Sequence, residues 1–275
     1  MSRLEPKYRR PLNNDQLLVL RLLFNFRFGS SDFIASYFNK PSGKYVQKRL
    51  NILEDQGYIA RHYDKSNKLQ GKPAAYYLLP KAAKLLQKHI KDFITDQSIK
   101  NRYKDKVASE RFINHSLGIF RTYLQLQAIY GNSLLFFTKS NLNLEKYDFF
   151  PKWLPDSYLS LKGGAKGTGK QHQFFLDLFE ETTPFFVLIR RIKNYLSYDQ
   201  SGEWGGDLPI ILMITETTST QKRLRRRITK ELREYRGNRI VAFYTTTKQE
   251  LTNSSRQNDK IWQLATKPEV VRSLQ

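Results

Sequence analysis

The stretch QFFLDLFEETTPFFVLIRRIKNYLSY, residues 173–198, decides how the second half of the chain is read. Residues 173–179 form an apolar run of strand length, interrupted by one acid, Asp177. Such a run, closed by turn residues, reads as a buried strand. Pro184 then opens a helix over about residues 185–198. An unpaired carboxylate between Leu176 and Leu178 is costly to bury, which marks Asp177 as a candidate functional residue.

Working upstream, Pro155-Asp156 introduces a strand over 157–161, and 134–138 reads as another. A long helix over 109–130 precedes them, with Phe112, Ile113, Leu117, Phe120, Leu124 and Ala128 on its apolar side. Downstream come a buried-type strand (209–215), a strongly basic helix (219–235) and a last strand (239–244). The order αβββαβαβ predicts a mixed-sheet α/β domain over 108–275. Residues 93–107 are charged and polar and read as a linker or an exposed helix.

Residues 1–92 read differently. Asp15 is a candidate cap for a first helix, Ser31 or Asp32 starts a second, and Ser42 caps a third. Val46, Leu50 and Leu53 form the core stripe of the third helix, and Lys44, Tyr45, Gln47, Lys48 and Arg49 its polar face. Two β-rich runs, 58–63 and 74–79, flank a basic loop and predict a hairpin, and Pro80 opens a fourth helix to 90.

The chain has 275 residues, 47 basic and 25 acidic, for a net charge of +22. Residues 1–100 hold 19 basic and 8 acidic groups and residues 101–275 hold 28 and 17, so both halves share the excess. A polyanion relieves such self-repulsion, and double-stranded DNA is the expected partner. An anionic membrane is disfavoured, since no long basic amphipathic helix with a Trp/Leu face is present. Absence of Cys removes disulfides, thiolate nucleophiles and Cys-based zinc sites. No run of about 18 apolar residues could span a bilayer. The segment leading into Asn13, Asn14 and Asp15 lacks the apolar core of a signal peptide, so a cytoplasmic protein is expected.

The helix–helix–helix–strand–loop–strand–helix order over about 12–92, with LNILEDQGYI at 50–59, resembles the winged helix-turn-helix family. That resemblance implies that the third helix enters a major groove, with Arg61, Lys65, Lys68 and Lys72 against phosphates. The order of the second domain, with Asp156 before one strand and Asp177 within the next, resembles the PD-(D/E)xK nucleases, a restriction-endonuclease-like fold. There two acids hold Mg²⁺ and a Lys follows the second acid by two positions. Here Phe179 stands at that position, and Lys193 on the next helix is the candidate substitute; Glu180, Glu181 and Glu110 are further possible ligands.

Over roughly 12–245 the chain is similar to the replication-relaxation family of plasmid and mobile-element proteins. Asp177, Thr182, Lys193 and Tyr195 match that family's pattern, whereas Phe179 replaces its second acid. The resemblance implies DNA binding in replication, mobilisation or transcription control. Two readings stay open: a non-catalytic DNA-binding protein without cofactor, its nuclease-like domain gripping the backbone or forming a homodimer, and a Mg²⁺-dependent endonuclease using Asp156 and Asp177 as metal ligands, with Lys193. A protein–protein adaptor or an RNA binder is a third.

Other motifs fail on their chemistry. The loop at 164–170 approaches a phosphate-binding loop, but Gln171 stands where Mg²⁺ needs a hydroxyl. Lys166 and Lys170 are instead expected against DNA backbone. His62, His89, His115 and His172 lack metal-ligand spacing, and His115, on the stripe of Phe112, reads as a satisfied interface residue. The basic helix supplies Lys222, Arg223, Arg226, Arg227 and Lys230 as a second expected DNA surface, with Leu224, Ile228 and Leu232 toward the core.

Overall fold

Asn13 begins the first helix: its side chain accepts from the Gln16 amide at 2.8 Å, and the Gln16 side chain accepts from the Asn13 amide at 3.0 Å. The computed structural model describes residues 11–63, 65–89, 94–142, 144, 147–162, 171–237 and 239–274. This capping box starts α1 (Asn14–Phe26) two residues ahead of the expected cap Asp15, because Gln16 can reciprocate only from the third helical position.

The chain divides into two units between Val107 and Ala108. In the first, α1 is followed by β1 (Phe28–Gly29), α2 (Ser31–Tyr37), α3 (Lys44–Asp55), β2 (Ile59–His62), α4 (Lys65–Leu69), β3 (Ala75–Leu78), α5 (Pro80–His89) and α6 (Asp96–Arg102). Strands β1, β3 and β2 form an antiparallel sheet in that order, with Ile59 opposite Leu78 and Phe28 opposite Tyr77. The short strand β1 was not expected, and the loop between β2 and β3 carries the helical turn α4. Val46, Leu50 and Leu53 are fully buried on one side of α3, as their spacing predicts. Gly43, not Ser42, caps that helix; its amide donates to Asp32 Oδ1 at 2.8 Å. A Cβ on Gly43 would collide with Ser31 Oγ, so this close approach needs glycine.

The linker expected at 93–107 is, over its described residues, folded into the first unit as α6 and a 3-10 turn (Tyr103–Val107). The cause is a buried charge. Asp105 has no exposed surface, accepts from Arg27 Nε at 3.0 Å and lies 3.5 Å from Arg102 Nη1. His62 Nε2 lies 2.8 Å from the Asp105 carbonyl oxygen, tying this turn to β2. Burial pushes the Arg102 pKa down to about 10 despite the opposing Asp105 charge.

The second unit opens with α7 (Glu110–Tyr130), capped by Ser109, and continues through β4 (Leu134–Thr138), β5 (Ser157–Lys162), β6 (Gln171–Phe179), α8 (Phe185–Ser201), β7 (Ile210–Thr215), α9 (Thr218–Glu234), β8 (Phe243–Thr247), α10 (Lys248–Asn253), β9 (Trp262–Leu264) and β10 (Val271–Arg272). Its seven-stranded mixed sheet runs β10-β9-β8-β7-β6-β5-β4. Strands β4, β5 and β6 are antiparallel neighbours, β6, β7 and β8 are parallel, and β9 and β10 return antiparallel. Phe175 and Phe179 face an apolar cluster with Leu188, Ile192, Leu224 and Ile228 of α8 and α9. Helix α7 lies against Leu178, on the other face: a Cβ on Gly118 would stand 2.7 Å from that side chain. The last expected strand is displaced from 239–244 to β8, and Ile240 is 96% exposed.

Replacing Asp105 with Ala leaves Arg102, 4% exposed, without its counter-charge. We expect a loss of about 3–5 kcal/mol in unfolding free energy. Denaturant titration of the two proteins measures it, and a loss below about 1 kcal/mol would contradict this account of 96–107.

Candidate functional site

The antiparallel register of β5 and β6 sets Ser157 opposite Leu176, which brings Asp156, one residue earlier, beside Asp177. The two acids expected to act together are therefore brought together. Their contacts are reciprocal across the strands: the Asp156 amide donates to Asp177 Oδ1 at 3.2 Å, and the Leu178 amide donates to Asp156 Oδ2 at 3.0 Å. Both residues are buried, Asp177 completely.

Each carboxylate is also met by cations. Lys139, just past β4, donates to Asp156 Oδ1 at 2.7 Å, and His115 Nε2 of α7 lies 3.2 Å from the same oxygen. Gly118, one turn after His115, lets α7 sit close enough for that contact. On α8, Tyr195 donates its hydroxyl to Asp177 Oδ2 at 2.8 Å, and Arg191 Nε lies 3.3 Å from that oxygen. Arg191 is itself fixed: Nη1 donates to the Leu154 carbonyl at 3.1 Å, and the guanidinium lies 4.8 Å from the Trp153 ring centroid. Leu154 has φ of 40°, an uncommon backbone state for a branched side chain, held by a hydrogen bond that its amide donates to the Pro151 carbonyl.

These environments push the two acids apart. Burial disfavours the Asp156 anion, but Lys139 and His115 outweigh it and hold its pKa well below the usual carboxylate range. Burial pushes Asp177 up, Arg191 opposes, and the neighbouring Asp156 charge adds to the rise. Burial and Asp177 together raise the Tyr195 hydroxyl, which therefore stays a donor. For His115, burial disfavours the cation, but Asp156 more than compensates and the pKa is raised.

Lys193, the expected substitute for the missing family Lys, is exposed on α8. Two residues along a helix turn a side chain nearly half-way round, so the face toward Asp177 belongs to Arg191 and Tyr195, spaced i, i+4. That spacing was the available signal in the sequence. Lys139 carried none, because its partner is set by sheet register. Phe179 is buried in the apolar cluster. A further charged group lies at the ends of the three parallel strands: Lys248 pairs with both Glu180 and Glu216, each the first residue after its strand. Glu181 and Glu110 are exposed. Among the described residues no three of His, Cys, Asp and Glu group as a metal ion would require.

The expected DNA-contact residues divide into exposed and engaged ones. Lys44, Tyr45 and Lys48 are exposed on α3, whereas Gln47 bonds Asn51 and Tyr76, and Arg49 donates to Asp15 at 2.6 Å and covers the Phe38 ring. Arg61 lies 3.4 Å from Glu54, and Lys68 and Lys72 are exposed. Lys166, Lys170 and the side chain of Lys65 lie outside the described residues. On α9, Lys222, Arg226 and Lys230 are exposed, Arg223 sits 3.8 Å from the Phe185 ring centroid, and Arg227 pairs with Glu231.

A family model described as replication-relaxation matches residues 20–208, and the chain belongs to that family. No curated protein and no solved structure matches it. No helix among the described residues is long and apolar enough to cross a membrane.

The His115–Asp156 pair has a pH signature. With its folded pKa raised, His115 contributes stability that is complete below its unfolded pKa of about 6.5 and is lost as pH rises through the folded value. Asp156 stays ionised throughout that window. The difference in unfolding free energy between wild type and His115→Gln should therefore shrink as pH rises through that value; a difference independent of pH would refute the pairing.

Proposed function

We propose that this member of the replication-relaxation family is a cytoplasmic double-stranded DNA-binding protein serving replication, mobilisation or transcription control of a plasmid or other mobile element. In this reading residues 11–89 act as a winged helix-turn-helix, α3 enters the major groove, and the turn between β2 and β3 rests on phosphates. The observation that carries it is the split of α3. Val46, Leu50 and Leu53 are fully buried, while Lys44, Tyr45 and Lys48 stand in solvent. A helix held by one stripe, with cations and an aromatic on the other, can dock without unfolding anything beneath it.

The second unit, in the same reading, is a nuclease-like domain used for backbone contact rather than cleavage. Support comes from the acids themselves. Asp156 and Asp177 present four carboxylate oxygens, and each already accepts a hydrogen bond or ion pair from the protein. A divalent cation would have to displace Lys139 and His115 from one acid, or Arg191 from the other. The residues present therefore do not fit Mg²⁺. The endonuclease reading draws on the same pair, since two acids and Lys139 meet at one strand edge.

Two experiments test this. Duplexes enriched from a random pool by the wild-type protein supply the binding probe. Tyr45→Ala with Lys48→Ala should weaken binding by about 1–3 kcal/mol at unchanged unfolding midpoint. Arg49→Ala should instead lower the midpoint, because Arg49 braces α3 on α1 and Phe38. Equal binding by the double variant and wild type would sink the α3 assignment. For the second unit, supercoiled plasmid incubated with Mg²⁺ or Mn²⁺ should stay intact with wild type and Asp177→Ala alike; nicking by wild type alone would establish the endonuclease.

A further inference from the structure

Helix α9 has two chemically opposed faces. Gln221, Leu224, Ile228 and Glu231 are buried, whereas Lys222, Arg226, Lys230 and Arg233 are exposed. The exposed set recurs at i, i+4, i+8 and i+11, a line of cations about 16 Å long at the helical rise. Beside this line stands β9 with the turn that follows it. Thr229 donates to the Ala265 carbonyl at 3.3 Å, and Arg225 bonds Gln263, so helix and turn are fixed to each other. Between them runs a groove of about 610 Å³, lined by those four cations and Arg225 on one side and by Ala265, Thr266 and Pro268 on the other. None of its lining residues is acidic. Glu231 points inward to Arg227, and Arg223 is taken up by Phe185.

We propose that this groove seats a DNA phosphodiester backbone independently of base sequence. The inference rests on the reading of the second unit as a domain that contacts DNA backbone, and names the groove where that contact is made. Charges in a row suit a linear polyanion, whereas a single phosphate would need donors converging on one point. Three of the five cations are Arg, whose planar fork matches phosphate oxygens in pairs. The far wall is small, so a strand can approach closely, and it offers no large apolar residue to enter a lipid surface. Contacts of this kind position a duplex without reading it.

The test uses the full chain carrying Lys222→Ala, Arg226→Ala and Lys230→Ala, and a labelled duplex of scrambled sequence. These side chains are exposed, so the unfolding midpoint should stay at the wild-type value. The slope of log affinity against log salt should fall by about three, equally on scrambled duplex and on duplex selected by the wild type. Thr266→Glu, which sets a carboxylate in the far wall, should weaken both as well and serves if the triple variant does not fold. Lys44→Ala with Lys48→Ala should instead reduce the preference for selected over scrambled duplex, so failure of the α3 reading is seen separately. An unchanged slope, a loss confined to the selected sequence, or tighter wild-type binding to duplex RNA or phosphatidylserine vesicles than to scrambled DNA would overturn the proposal.

Discussion

Two carboxylates at one strand edge organise the second unit. Taking an ion out of water costs several kcal/mol even after the surroundings relax, and here two acids are buried side by side. The cost is offset only because five segments converge on them: α7 brings His115, the end of β4 brings Lys139, β5 and β6 exchange amide bonds, and α8 brings Arg191 and Tyr195. Each segment is thereby held in register by a charge it must satisfy. Removing one partner leaves an uncompensated ion, so the arrangement behaves as a tie point and not as a set of independent bonds.

Much of this fold was legible in the chain. Helix α7, strand β4 and helix α9 lie where the residue pattern puts them, although α7 buries Ser116, Ile119, Leu126 and Ile129 beside Ile113 and Phe120, a face turned from the expected stripe through Phe112, Leu117, Leu124 and Ala128. Long-range pairing was not legible. Residues 96–107 look like a solvated linker because their charges are counted without partners; Arg27, 78 positions earlier, turns Asp105 into a core residue. The strand expected at 239–244 followed Ile240 and Val241, yet β8 centres on Thr245, which is fully buried between β7 and β9. A threonine run reads as polar until neighbouring strands on both sides claim its backbone. In the site, strand register brings Asp156 and Asp177 together, and helical phase turns Arg191 toward Asp177 while Lys193 stays exposed, a difference of two residues that composition does not reveal.

The net charge of +22 overstates what a partner would meet. Arg27, Arg102, Lys139, Arg191, Arg227 and Lys248 are committed to internal carboxylates, and Arg49 and Arg223 also lie over aromatic rings. Exposed cations are spread over both units, Lys81, Lys84 and Lys88 on α5 and Arg190 and Lys193 on α8 among them; on α3 and α9 they occupy the outer face. Both helices owe their place to a narrow apolar stripe, Val46, Leu50 and Leu53 in one and Leu224 and Ile228 in the other, each fully buried.

That separation has a physical consequence for α9. Like charges at i, i+4 destabilise a helix by about 0.2–0.5 kcal/mol per pair. Lys222–Arg226 and Arg226–Lys230 are two such pairs on its open side. None of these positions contributes to the buried stripe, so neutral or alternating residues there would serve the fold better. Packing of Leu224 and Ile228 carries the helix despite its surface, and none of the groove's lining residues is an acid that would pair with these cations. Such a surface suits the proposed partner, whose negative charges lie in a line.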